Sequence, residues 1–207
     1  MVCVNGGQSR EVPGTWSASL EWLVRRLAPQ HPGLGLAEVR YRIKSWKRLE
    51  LCVEDTLAAL DEVVAAGARR VLLLGFSMGG AAAIGAARHP AVTTVLGLAP
   101  WIPERLDLSG LDGRRLVVLH GALDRYLPGI PGVSPASSRR GFERAQARGI
   151  EGRYELIPGA IHPIAMRAPW GGAVRAPRAG RWAELVSEEL TRFQASEGAA
   201  AASAAAG

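Results

Sequence analysis

The sequence predicts a single α/β domain, an open and mostly parallel sheet with helices packed on both of its faces. Three observations carry that prediction. Residues 69 to 75, "RRVLLLG", form a near-continuous apolar run, as expected of a strand buried on both faces rather than one. Strand-like and helix-like segments alternate along most of the chain, and the stretches between strands are long enough for the crossovers that parallel pairing requires. At 207 residues the chain can also bury a full core without disulfide or metal staples.

The elements follow in order. "VCV" opens as a short strand and leads at once into the glycine-rich turn "NGGQS". From Thr15 to Leu27, the residues Trp16, Leu20, Leu23, Val24 and Leu27 recur at helical spacing, with Thr15 or Ser17 available as cap. "PQHPGLG" breaks that helix, "LAEVRYRI" alternates as a strand, and "LCVEDTLAALDEVVAAG" is an amphipathic helix closed by Gly67. Past the apolar strand, "MGGAAAIGAARHP" reads as a helix stopped by Pro90. Strand "VTTVLGLAP", the turn-rich link "WIPERLDLSGLDG" and strand "RRLVVLHG" come next. A helix around Arg139 to Arg148, a strand "GRYELIPG", a loop "AIHPIAMRAPWGGAVRAPRAG" and a final helix "RWAELVSEELTRFQ" complete the domain, residues 1–195. Residues 196–207 are alanine-rich and low in complexity, and a disordered tail is expected there.

Composition narrows the partners. The net charge of +6 raises the question of nucleic acid, but the basic residues, all arginine except Lys44 and Lys47, are scattered and form no block. Pairs such as Arg25-Arg26, Arg69-Arg70, Arg114-Arg115 and Arg139-Arg140 fall where strands or helices begin or end, so solvated surface is the better reading and no nucleic-acid partner is expected. Cys3 and Cys52, with no CxxC spacing, read as small buried hydrophobes; no metal site and no organic cofactor is expected. The first residues lack a basic stretch followed by a long apolar one, so no signal peptide is visible and the cytoplasm is the expected location. The run from Val71 to Ala87 is interrupted by glycines and Ser77, which suits strand, turn and helix better than a membrane span.

The chemistry centres on "GFSMGG", where Ser77 is framed by Gly75 and Gly79 at a strand-to-helix junction. A sharp turn of the form G-x-S-x-G holds its serine in a strained backbone conformation with the hydroxyl clear of the sheet, and side chains two residues either side would collide across it. The N–H of Met78, at the start of the helix, then points to where an oxyanion would form. A rival reading takes the stretch as a degraded dinucleotide fingerprint. It lacks the middle glycine, and "TTVLGLAP" offers no acid for the ribose.

A serine hydroxyl needs a base within reach, and the base needs an acid to orient it. Of four histidines, His31 lies in a loop before the second strand, His89 at a helix end and His120 at the end of "LVVLH". His162 lies in the loop after "RYELIP", where it can hang over the carboxyl edge of the sheet. Asp124, four residues past a buried strand, is the expected acid; Glu104 and Asp107 are substitutes, and Asp112 reads as a turn residue. The order is Ser77, Asp124, His162.

On these motifs the sequence resembles the α/β-hydrolase superfamily, from Val2 to about Gln194, with similarity to small dienelactone hydrolases and compact esterases. "VNGGQS" resembles the oxyanion loop, with Asn5 in place of a usual histidine; "GFSMGG" resembles the nucleophile elbow, "HGALDRYLP" the acid loop and "GAIH" the loop of the base. The resemblance implies a serine hydrolase acting on a small-molecule ester or thioester. Oxyanion donors would be the N–H groups of Met78 and Gly7, with Gln8 as the alternative to Gly7. A thioesterase or acyltransferase on the same triad, or a non-catalytic ligand-binding homologue, are the other readings. Dienelactone hydrolases proper carry cysteine at the elbow, which argues against that substrate. The two antiparallel strands that usually precede the oxyanion strand are missing, so either a minimal hydrolase or a start inside a longer gene product is expected. The link "WIPERLDLSGLDG" is too short for a helical cap, so the cleft should be open, with Trp101, Tyr126 and Trp170 as candidate walls.

Overall fold

The computed structural model describes residues 1–14, 16–124 and 132–205. Strands β1 (Val2–Val4), β2 (Ala37–Glu38), β3 (Val71–Phe76), β4 (Val92–Leu98), β5 (Arg115–Gly121) and β6 (Gly152–Ile157) form, among the described residues, one sheet in the order β2-β1-β3-β4-β5-β6. Every pairing in it is parallel. Chain order reverses between β1 and β3, as in doubly wound sheets, which places a crevice at the carboxyl ends of the central strands.

The pleat sorts the apolar runs into two cores. In β3, Val71 and Leu73 face one side while Leu72, Leu74 and Phe76 face the other; in β5, Leu116 and Val118 oppose Val117 and Leu119. Helices α2 (Leu49–Ala65), α3 (Met78–Ala86) and α4 (Pro135–Ala147) cover the first face, with Leu60, Ile84 and Phe142 buried against it. Helices α1 (Ala18–Leu27) and α5 (Ala179–Ala205) cover the second through Leu20, Leu23, Leu27, Trp182 and Leu190. Each fully buried leucine contributes about 1.5–3 kcal/mol. Cys3 and Cys52 are free and buried, and burial pushes their thiols up to about 12 and about 11, so both pack as neutral groups.

The structure departs from the sequence reading in several places. "LAEVRYRI" contributes only Ala37–Glu38 to the sheet, because β1 is three residues long and offers partners for just two. Helix α4 begins at Pro135, earlier than expected, since proline suits a first helical turn; Arg139 and Arg140 therefore lie inside it rather than at its end. The stretch read as a loop before the last helix contains an antiparallel hairpin, β7 (Ala165–Arg167) with β8 (Ala173–Arg175). Helix α5 continues into the alanine-rich stretch for which disorder is expected, alanine being the best helix former. Between β4 and β5 lies a single short 3-10 turn, Ser109–Leu111, and no cap covers the sheet edge there. Among the described residues no helix is long and apolar enough to cross a membrane.

Candidate active site

Ser77 occupies the junction of β3 and α3 with φ 55° and ψ −121°, a conformation costly for a residue with a Cβ, by about 1–3 kcal/mol. Its backbone is tied on both sides: its N–H donates to Leu98 O at 3.0 Å, and its carbonyl accepts from the N–H groups of Gly80 and Trp101, each at 2.9 Å. The flanking glycines have different reasons. A Cβ on Gly75 would lie 2.4 Å from the carbonyl oxygen of Gly79, the collision across the turn that the motif implies. A Cβ on Gly79 would instead strike Val4 O at 2.1 Å, so this glycine lets α3 press against the end of β1.

The three predicted side chains meet. His162 Nε2 lies 3.1 Å from Ser77 Oγ, and its Nδ1 lies 2.6 Å from Asp124 Oδ2. The carboxylate fixes the hydrogen on Nδ1 and leaves Nε2 as the acceptor for the serine hydroxyl. The Phe76 ring packs on the imidazole with centroids 5.2 Å apart. Behind it, buried Ser19 of α1 fastens the loop: its Oγ accepts from the N–H groups of Ile164 (3.0 Å) and Ala165 (3.2 Å) and donates to Ala165 O (3.1 Å).

Asp124 is fully buried and spends both oxygens. Oδ1 accepts from the N–H of Val133 at 3.1 Å, while Oδ2 accepts from His162 and from His120 Nε2, the latter at 3.0 Å. Burial alone would push this carboxyl up; the hydrogen bonds from His120 and His162 outweigh it and hold the group below its ordinary value. His120 is itself buried, its Nε2 also 2.9 Å from Val133 O and its Nδ1 2.7 Å from Ser138 Oγ. Both ring nitrogens are thus engaged by protein partners. Tyr154 completes the chain, its hydroxyl 3.0 Å from Ser138 Oγ and donating to Pro135 O at 2.9 Å.

The other candidates lie elsewhere. Asp107 binds the N–H and hydroxyl of Ser109, Glu104 is exposed, and Asp112 pairs with Arg148. His31 lies between Gln194 and Ser187, and His89 faces Asp61.

Met78 is the first residue of α3, where an N–H has no intrahelical acceptor. Gly7 lines the same cavity as Ser77 and His162, and a Cβ on it would fall 2.3 Å from the Trp46 ring and 2.4 Å from Met78 Sδ. Asn5 is buried and acts as a brace. Its Oδ1 accepts from Ser17 N at 2.9 Å, its amide donates to Glu38, and its carbonyl accepts from the Tyr41 hydroxyl at 3.0 Å. Burial pushes the Glu38 carboxyl up to about 7, against the Asn5 hydrogen bond and the charge of Lys44.

Two cavities open at Ser77. The smaller, about 210 Å³, is walled by Trp46, Met78, Trp101 and Val133; the larger, about 670 Å³, holds His162 and Gly7 and is bordered by Gln8, Ser17, Lys44 and Arg167. Trp101 is thus a wall, as expected, whereas Trp170 projects from the β7–β8 turn, 79% exposed, and lines neither cavity. Tyr126 lies outside the described residues. Trp46, in the 3-10 turn Trp46–Arg48, and Val133, in a loop, are not legible as walls, because a lone aromatic or valine outside a long element carries no periodic signal. His120 did have one, the spacing of "HGALD", but its partner atom was visible only in space. Among the described residues no group of three or more His, Cys, Asp or Glu could hold a metal ion.

Fold and site together define the class, and comparison with known proteins agrees: the model of the Alpha/beta hydrolase family matches residues 1–204, and the chain belongs to that family. Among solved structures, an alpha-beta serine hydrolase homologue from Coxiella burnetii superposes with a TM-score of 0.67 at 16% identity, over 91% of this chain and 83% of that one. A monoacylglycerol lipase from Paleococcus ferrophilus gives 0.58 at 15% identity, over 91% and 92%. An uncharacterized protein from Bacillus cereus gives 0.63 at 16% identity; the match spans 93% of this chain but 59% of the other. No curated protein matches the sequence.

Proposed function

We propose that this protein is a cytoplasmic serine hydrolase that cleaves a carboxylic ester or thioester through an acyl-enzyme. Ser77 Oγ attacks the carbonyl carbon while His162 Nε2 takes its proton, and Asp124 holds the imidazole in the tautomer that can accept it. The N–H groups of Met78 and Gly7 hold the oxyanion; loss of one such donor costs roughly 3 to 4 kcal/mol of barrier. His162 then protonates the leaving group and, with the acyl group on Ser77, activates water for the return step. No metal or organic cofactor enters this scheme.

The observation that carries the reading is the unbroken line of hydrogen bonds from Ser77 through His162 to Asp124, at 3.1 and 2.6 Å, opening on a cleft. The structural likeness to a serine hydrolase homologue and to a lipase supports the same chemistry. A fluorophosphonate probe tests it: the wild type should label and Ser77→Ala should not. Labelling that survives Ser77→Ala refutes the assignment. An acyltransferase would share every residue named and differ in preferring an alcohol or amine acceptor to water.

A further inference from the structure

We infer that the two cavities meeting at Ser77 divide the substrate: a short acyl group enters the smaller, and a polar alcohol leaves through the larger, so the substrate is a short-chain ester of a polar alcohol. The inference rests on the serine-hydrolase reading above. Its starting point is that Ser77 and Trp46 border both cavities, whereas His162 borders only the larger and Met78 only the smaller.

The direction follows from proton balance. When Ser77 Oγ bonds to the carbonyl carbon, its proton passes to His162 Nε2. When the carbon–oxygen bond to the alcohol breaks, that same proton goes to the departing oxygen. The departing oxygen must therefore lie on the His162 side. The acyl chain, on the other substituent of the same carbon, points away from His162 and toward Met78 and Trp101.

The two spaces differ in the way this assignment requires. The acyl side is apolar, faced by Trp46, Met78, Trp101 and Val133. At the ~30 Å³ that a water-sized group occupies in a liquid, its 210 Å³ holds about seven heavy atoms. The leaving-group side is about three times larger in volume; beside Lys44, the Arg167 that pairs with Glu21 and the Ser19 hydroxyl that holds the loop, it carries the hydroxyls of Ser9 and Ser17 and the side-chain amide of Gln8. An apolar alcohol would cover those groups without returning their hydrogen bonds. A hydroxylated one returns them.

Two series of esters test this in the full-length protein. With nitrophenyl acetate, butyrate, octanoate, laurate and palmitate, kcat/KM should be highest at or below octanoate and at least tenfold lower at palmitate. With the acyl group fixed as butyrate, the glycerol monoester should exceed the n-propyl ester at least fivefold in kcat/KM. Trp101→Ala should move the chain-length optimum upward, and Val133→Phe should move it toward acetate; the opposite directions separate reshaping of the cavity from general loss of folding. Fastest turnover of palmitate, or preference for the propyl ester, with Ser77 still labelled by the probe, overturns the division alone. No turnover of any ester and no labelling removes the serine-hydrolase reading and the division with it.

Discussion

His162 and His120 approach the same oxygen of Asp124, at 2.6 and 3.0 Å, and each presents its other ring nitrogen to a serine, Ser77 at 3.1 Å and Ser138 at 2.7 Å. Residue types and contacts are nearly mirrored about the carboxylate. Their surroundings are not. Ser77 sits half-buried at a strained turn, open to two cavities. Ser138 is buried within α4, where its hydroxyl also meets Pro135 O and Tyr154. The difference teaches that a Ser-His-Asp contact set is not a catalytic site by itself. On the proposed function, the turn and the open space make one half reactive, and the other half serves as a brace for the shared acid.

Breaking the exposed half should have the largest effect. His162→Ala is expected to lower kcat by roughly 10⁴- to 10⁶-fold and, because it also strips the 2.6 Å donor from Asp124, to cost about 1–3 kcal/mol of stability, measured by ester turnover and calorimetry. Breaking the buried half should cost comparable stability with a far smaller loss of activity. His120→Ala strips one donor from the buried carboxylate of Asp124, so it should cost about 1–3 kcal/mol of stability. Because it acts through the position of Asp124, it should also lower kcat roughly 10- to 100-fold with KM nearly unchanged. A His120→Ala enzyme with full kcat would show that His162 alone positions the acid.

Acid unfolding sharpens the same comparison. The folded-state value of Asp124 is lowered, so its stabilisation is complete above the ordinary carboxylate range, near pH 4, and is lost as pH falls through the lower folded value. Removing the His120 hydrogen bond raises that folded value. The midpoint of acid unfolding followed by circular dichroism should therefore move to higher pH in His120→Ala. The smallest effect belongs to Ser138→Ala, about 1 kcal/mol of stability, with the chain-length profile of the substrate unchanged. An effect larger than that of His120→Ala would place the brace in Ser138 rather than in the imidazole.

Much of this arrangement was legible because it follows from strand ends. Ser77 and Asp124 each lie just past an apolar run and His162 just past the mixed strand "GRYELI", and parallel strands deliver their carboxyl ends to one edge. The near-continuous apolar run of β3 also marked both of its faces as buried. What escaped was set by pairing and packing at a distance. The brevity of β2 is dictated by β1, and the β7–β8 hairpin is too short to show a period of its own. The role of Asn5 could be read as a substitution in a family motif, but its bonds to Ser17, Glu38 and Tyr41 depend on three separate segments converging.

The seat of Ser19 has a consequence for how the protein comes off the ribosome. Ser19 is made well before Ile164 and Ala165, which lie 145 and 146 residues further along, yet its hydroxyl is satisfied only by their backbone. Ser77 and Asp124 can be in place before this stretch is made, but His162 cannot yet be held against them. A nascent chain interrupted there would carry the strained β3–α3 turn without a seated imidazole.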